Sequence, residues 1–268
     1  MPNNPSRRSF LVTCAAGAVG PLFLGPSAFA GQQPTASNRP DTVIDDLVAA
    51  NRILAREQVL DAYGHVSVRR PGAPNRFLLA RSVAPELVTT ADLLEYDLDS
   101  NPIDARGRAS YKERFIHSEI YKVRSDVNAI VHCHTPSLVP FGVSSVPLRP
   151  MYHQSAFVAE GVPVFEIREA AGMTDMLIGN GRLGQALAKT LGNKPAALMR
   201  GHGAVVVGNS IPHVVGRSFY LDLNARLQAQ AMALGGTITY IDPEEARLYA
   251  ASDNYDRAWD LWKRQVIR

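Results

Sequence analysis

The stretch Ile130-Val131-His132-Cys133-His134 decides how this chain is interpreted, together with Arg200-Gly201-His202-Gly203 further along. Side chains alternate along a strand, so histidines at positions i and i+2 point to the same face. The third histidine, on a turn flanked by glycines, can complete a site of three ring nitrogens for a divalent metal. Three protein ligands leave coordination positions open, as a catalytic metal requires. We therefore predict a metal on His132, His134 and His202. The alternative is a pair of buried core histidines, and Cys133 is expected on the opposite face.

The composition is that of an ordinary soluble globular protein. The 268 residues are 46% hydrophobic and 20% charged, which is enough apolar material for a sizeable core in one domain or at most two. The net charge is only +3, and no basic patch favours a nucleic-acid partner. Beyond the first thirty residues Cys133 is the only cysteine, so we expect no intramolecular disulfide.

The N-terminal residues resemble a twin-arginine export signal. Ser6-Arg7-Arg8-Ser9-Phe10-Leu11 opens an apolar run to Leu24, and Ala28-Phe29-Ala30 has the small-x-small form of a cleavage site. The alternative is a membrane anchor, but glycine and proline interrupt the run and it is shorter than the ~20 residues of a spanning helix. We predict a signal over 1–30, a linker over 31–40 and a single domain over 41–268. The mature protein is expected in the periplasm, without stable membrane insertion.

Hydrophobic periodicity predicts interleaved helices and strands. Strands are expected over 64–69, 77–80, 94–98, 129–132, 162–165, 196–199 and 204–207. Helices are expected over 42–57, 113–123, 136–142, 181–191, 211–234 and 243–266. This alternation, with several hairpin-like pairs of strands, predicts an α/β domain with a mixed sheet between helical layers.

Further polar residues are candidates for catalysis and substrate binding. Glu113 lies near the start of a helix that leads into the metal strand, where a carboxylate can exchange a proton beside a Lewis acid; the alternative is a solvated first-turn glutamate. Arg81, next to Ser82 at the end of a strand, has the fork geometry that binds a carboxylate, or it lies on the surface. His65 on its apolar strand is either functional or buried and hydrogen-bonded.

Taken together, four motifs resemble the class II aldolase/adducin family. They are Gly64-x-Val66-Ser67-Val68-Arg69, Glu113-x-x-x-His117, His132-x-His134 and Gly201-His202-Gly203. The resemblance implies a three-layer α/β/α fold with a central, mostly antiparallel sheet. It also implies Zn²⁺ or Mn²⁺ on the three histidines, Glu113 as the catalytic acid/base, and a homotetramer with its sites at subunit interfaces.

Departures from the sugar-phosphate aldolases of that family concern the substrate. Ser110-Tyr111-Lys112 stands where those aldolases have phosphate-binding serines, Ala80-Arg81-Ser82-Val83 replaces their phosphate turn, and His65 replaces an asparagine. These segments look more like the decarboxylase branch, which acts on aromatic hydroxy-carboxylates. We expect a metal-dependent carbon–carbon lyase, of the aldolase or the decarboxylase type, that acts on a small hydroxy-carbonyl or aromatic hydroxy-carboxylate substrate. Arg81, Ser82, His65 and Lys112 are expected to bind this substrate. The alternatives are a non-catalytic binding or scaffold protein with a residual metal site, and an epimerase or dehydratase.

Overall fold

The computed structural model describes residues 40–250 and 254–267. The predicted export signal over 1–30 and all but the last residue of the predicted linker lie outside the described residues. None of the helices in the described part is long and apolar enough to cross a membrane.

A seven-stranded sheet forms the centre of the fold, in the order β3-β2-β1-β4-β7-β6-β5. Every neighbouring pair is antiparallel except β5 and β6, so the predicted mostly antiparallel, mixed sheet is confirmed. The strands are β1 (His65–Arg69), β2 (Arg76–Ala80), β3 (Leu93–Asp97), β4 (Ala129–Cys133), β5 (Val164–Phe165), β6 (Ala196–Met199) and β7 (Gly203–Gly208).

Helices cover both faces of this sheet. They are α1 (Pro40–Arg56), α2 (Phe115–Val123), α3 (Val139–Val143), α4 (Ile167–Ala171), α5 (Gly181–Leu191), α6 (Ile211–Ala233), α7 (Pro243–Ala250) and α8 (Asp256–Val266). On β4, Val131 and Cys133 belong to one core with residues of α1, α6 and α8. Ile130 belongs to the other core, with residues of α2 and α5. The alternation of β4 therefore places Cys133 opposite the histidines, in three α/β/α layers.

Several predicted helices differ from the observed ones. The helix predicted over 136–142 begins three residues later, as Val139–Val143. The helix predicted over 243–266 is two helices, because Tyr255 leaves the helical conformation at φ −108° and ψ 9°. Its ring packs on Gly216, where an added Cβ would lie 2.2 Å from the ring. The helix predicted from Glu113 begins at Phe115, since Glu113 has φ −90° and ψ 17° within a short 3₁₀ turn, Lys112–Arg114.

Candidate metal centre and active site

Three imidazoles and one carboxylate converge on the α2 and α5 face of the sheet. The Nε2 atom of His134 lies 3.0 Å from Nε2 of His132 and 3.0 Å from Nε2 of His202. The Oε2 atom of Glu113 lies 3.4 Å from Nε2 of both His132 and His202. The four ligand atoms all fall within 4.8 Å of one another, so the structure brings together the three predicted metal ligands and the predicted acid/base residue.

One strand and a tight turn position the three histidines. His132 is the fourth residue of β4 and His134 follows the end of that strand, so both face the same way. The turn between β6 and β7 carries His202 and uses Gly201 at φ +64°, a conformation that glycine adopts without strain. At Gly203 an added Cβ would lie 2.0 Å from the carbonyl oxygen of Cys133. The two glycines thus allow β7 to approach β4 closely enough for the rings to meet.

Outer hydrogen bonds orient every ring of the cluster. The Nδ1 atom of His132 lies 3.1 Å from the carbonyl oxygen of Ala204, and Nδ1 of His202 lies 3.1 Å from that of Met176. The Nδ1 atom of His134 lies 3.1 Å from both carboxylate oxygens of Asp61. Oxygens of this kind accept hydrogen bonds, so each Nδ1 carries the proton and each neutral ring offers its Nε2 lone pair to the cluster.

This donor set fits a divalent cation. Neutral ring nitrogens whose lone pairs face each other at 3.0 Å repel unless a positive charge lies between them. Three imidazole nitrogens and a carboxylate oxygen are ligands that suit zinc and other first-row ions. His132, His134 and His202 are therefore the residues that would hold the metal, with Glu113 beside them.

Glu113 is buried and fixed at one oxygen. Its Oε1 atom accepts a hydrogen bond of 2.8 Å from the backbone N–H of Ile178. Burial raises the pKa of this carboxyl, but hydrogen bonds and charges from His132 and His202 outweigh burial and hold its pKa well below the usual range. Without a metal, burial lowers the pKa of His202, yet the hydrogen bond and charge of Glu113 outweigh burial and raise that pKa; a cation would displace the proton that Nε2 then shares with Glu113. Glu113 is consequently an ionised base at neutral pH.

A cavity of about 400 Å³ opens onto the cluster. Rings and apolar side chains form much of its wall, and two of the predicted substrate-binding residues, Ser82 and Lys112, line it. The further lining residues that we use below are Tyr63, His65, Tyr111, Met176 and Leu177. His65 is thus the third predicted substrate-binding residue at the cavity, in addition to Ser82 and Lys112.

Arg81 lies outside the cavity lining. Its Nε atom is 2.6 Å from Oδ1 of Asp92, and its backbone N–H donates to the carbonyl oxygen of Asp92. Lys112, in contrast, lines the cavity and pairs with Asp175 at 2.6 Å. Both members of that pair are more than half exposed, so the ammonium group is accessible to a ligand in the cavity.

Several residues of the site have no counterpart in the sequence-based prediction. Asp61 accepts from the backbone N–H groups of Tyr63 and Gly64 as well as orienting His134; an aspartate just before a glycine that opens a strand is the signal that indicates such a turn. Met176 and Ile178 contribute backbone atoms to the site. Every residue type has these atoms, so the sequence gives no signal for them. Tyr111 forms part of the aromatic wall.

Comparisons with known proteins agree with this geometry. Residues 45–229 match the family described as Class II Aldolase and Adducin N-terminal domain. The chain is similar to decarboxylase tropJ of Talaromyces stipitatus, with 34% identity over 85% of this chain and 96% of the relative. It is also similar to 3,4-dihydroxyphthalate decarboxylase of Arthrobacter keyseri, with 28% identity over 80% and 89%.

A solved structure shows the same fold. L-fuculose 1-phosphate aldolase from Glaciozyma antarctica PI12 aligns with a TM-score of 0.69 and 24% identity, over 85% of this chain and 87% of that one. Decarboxylases and aldolases among the relatives support a lyase. The family match over 45–229 and the relative at 34% identity establish that this chain belongs to the class II aldolase and adducin family.

Proposed function

We propose that this chain is a metal-dependent decarboxylase of a small aromatic hydroxy-carboxylate. The observation that carries the proposal is the composition of the cavity above the cluster. Tyr63, Tyr111 and His65 line it, and flat rings of this kind pack against an aromatic substrate. Among the described lysines and arginines, Lys112 alone lines the cavity, which suits one carboxylate better than a phosphate dianion. The similarity to proteins named as decarboxylases supports the same choice.

The chemistry requires charge stabilisation next to the bond that breaks. A divalent metal held by His132, His134 and His202 supplies a Lewis acid that stabilises negative charge on a substrate oxygen. In the protein itself, Lys112 binds and orients a carboxylate through a charge-assisted hydrogen bond. Tyr111 and His65 hold the ring and exclude water from one side of it.

Glu113 has the properties of the proton-transfer group. It is ionised and buried, and the N–H of Ile178 fixes its Oε1 atom, which leaves Oε2 directed at the cluster. We propose that Oε2 first takes the proton of the substrate hydroxyl. The bond between ring carbon and carboxylate then breaks, CO₂ leaves, and its electron pair stays on the ring. Glu113 returns the proton to that ring carbon, so atoms and charge balance.

The test is an assay of purified protein loaded with Zn²⁺ or Mn²⁺. Aromatic ortho-hydroxy acids and sugar phosphates are supplied separately, and release of CO₂ and of aldehyde is measured. We expect CO₂ from the aromatic acids. Aldehyde from sugar phosphates alone would reject the decarboxylase in favour of an aldolase. Glu113→Gln is expected to keep the metal and lose turnover, whereas His132→Ala loses both. A scaffold protein would show no turnover and would keep its assembly after His132→Ala.

We also propose that the protein is exported and forms a homotetramer. The twin-arginine pattern of residues 6–11 and the small residues Ala28 and Ala30 support export. Arg7→Lys combined with Arg8→Lys is expected to leave the full-length precursor in the cytoplasm, as measured by fractionation. Family membership supports the tetramer, and light scattering on the purified protein measures its mass directly.

A further inference from the structure

A chain of hydrogen bonds runs behind the cavity wall, away from the metal cluster. Nδ1 of His65 lies 2.7 Å from Nε2 of His117. Nδ1 of His117 lies 2.7 Å from Oγ of Ser67, which lies 2.8 Å from the hydroxyl of Tyr121. All four side chains are buried, with exposures between 0% and 2%. Apolar side chains at these four positions would avoid the free-energy cost of burying polar groups. The presence of the hydrogen-bonded chain therefore indicates a role other than packing.

The packing of β1 against α2 brings the four side chains of this network together. His65 and Ser67 alternate with apolar residues on β1 and face α2, where His117 and Tyr121 lie one helical turn apart. His65 also stands directly opposite His132 in the pairing of β1 with β4. Because His117 engages Nδ1 of His65, Nε2 is the polar atom that the His65 ring offers to the cavity.

We infer that His117 is a positioning residue, which holds the His65 ring so that its Nε2 atom binds a substrate oxygen beside the metal ligands. The ring centroid of His65 lies 4.5 Å from that of Tyr111 and 5.2 Å from that of His132. The His65 ring therefore lies between the aromatic wall and the cluster, at the cavity in which an ortho-hydroxy acid would bind. The inference rests on the proposed function for the class of substrate.

A matched pair of substitutions separates this role from a structural one. In His117→Gln the side-chain amide reaches about the position of the imidazole Nε2 and keeps the bond to His65. In His117→Asn the amide reaches about the position of Nδ1 and keeps only the bond to Ser67. The probe is salicylate, titrated by calorimetry into the Zn²⁺-loaded full chain. We expect affinity within about threefold of wild type for Gln and about tenfold weaker for Asn, which is the loss of one hydrogen bond.

Two controls link the effect to His65. Bound zinc, measured by elemental analysis, is expected to be equal in both variants. In a His65→Ala background the difference between Gln and Asn is expected to vanish, because the coupling runs through that ring. The inference is overturned if Gln and Asn weaken binding equally, if their difference persists without His65, or if the wild-type protein does not bind salicylate.

A measurement on the wild-type chain covers the case in which both variants unfold. With ¹⁵N-labelled histidine, the Nε2 resonance of His65 is expected to shift when salicylate is added, and an unchanged resonance overturns the inference. Failure of the proposed function can be distinguished from failure of this inference. A protein that shows the Gln and Asn difference but releases no CO₂ from any aromatic acid refutes only the decarboxylase. One that releases CO₂ without that difference refutes only the role of His117.

Discussion

The Nδ1 atom of His134 lies 3.1 Å from both carboxylate oxygens of Asp61. This pair fixes the ring orientation and makes Nε2 more basic, and removing such an outer partner costs about 10- to 100-fold in metal affinity. We therefore expect Asp61→Ala to bind Zn²⁺ about 10- to 100-fold more weakly, as measured by competition with a chelating dye. Asp61→Asn keeps an acceptor oxygen and is expected to lie between Ala and wild type. Equal affinity in Ala and wild type would show that the pair has no effect on the metal.

Met176 tests whether a backbone carbonyl also supports the cluster. Its φ of +64° is unusual for a residue with a side chain, and its carbonyl oxygen accepts from Nδ1 of His202. Met176→Gly is expected to retain zinc affinity, because glycine adopts this conformation freely. Met176→Val is strained by about 1–3 kcal/mol and is expected to weaken zinc binding by about tenfold or more. Dye competition measures both variants, and a Val variant as tight as the Gly variant would refute the role of this carbonyl.

Lys112 and Arg81 are expected to differ in their kinetic effects. Lys112 lines the cavity, so Lys112→Met removes a charge-assisted hydrogen bond to the substrate carboxylate. That loss is expected to raise KM by about 10- to 100-fold, with a smaller change in kcat. Arg81 pairs with Asp92 at the partly exposed end of β2, so Arg81→Ala is expected to lower the free energy of unfolding by about 1 kcal/mol or less and to leave KM unchanged. A KM that rises equally in both variants would place Arg81 at the substrate.

The buried His117 predicts how stability changes with pH. Burial, followed by the charge of His132, lowers its pKa to about 3, whereas the pKa of a histidine in the unfolded chain is about 6.5. Between these values the unfolded state binds more protons, so the free energy of unfolding falls as the pH drops below about 6.5 and towards about 3.

Urea unfolding in EDTA at about pH 7, 5.5 and 4.5 measures this dependence. His117→Gln lacks the titrating group, so its stability is expected to fall less steeply, by up to about 1.4 kcal/mol per pH unit. Parallel curves for the two proteins would contradict the prediction.

Sequence patterns were sufficient for most of the fold. Alternation on β4 predicted that His132 and His134 share a face, and the helix over 181–191 ends before Gly192 as predicted, with Asn180 capping its start. The break at Tyr255 was missed because the long-range packing of its ring on Gly216 overrides helical periodicity there.

Less of the candidate site could be predicted from the sequence. An arginine at the end of a strand looks the same whether it faces a substrate or a carboxylate, and only the fold shows Asp92 next to Arg81. The backbone groups of Met176 and Ile178 are common to every residue type, so no pattern of side chains indicates them. The pairing of His65 with His117 depends on the packing of α2 against β1, which the sequence spacing does not specify.

The histidines of the cluster and the rest of the cavity lie on different kinds of structure. His132 lies on β4, the middle strand of the sheet, and His202 on the tight turn that leads into β7. Lys112, Tyr111 and Met176 lie on connections between regular elements. Substitutions, insertions or deletions in those connections reshape the cavity without moving the strand and the turn that carry the imidazoles. Descendants of one ancestor can therefore acquire new substrates through changes in these connections while they inherit the same histidine cluster.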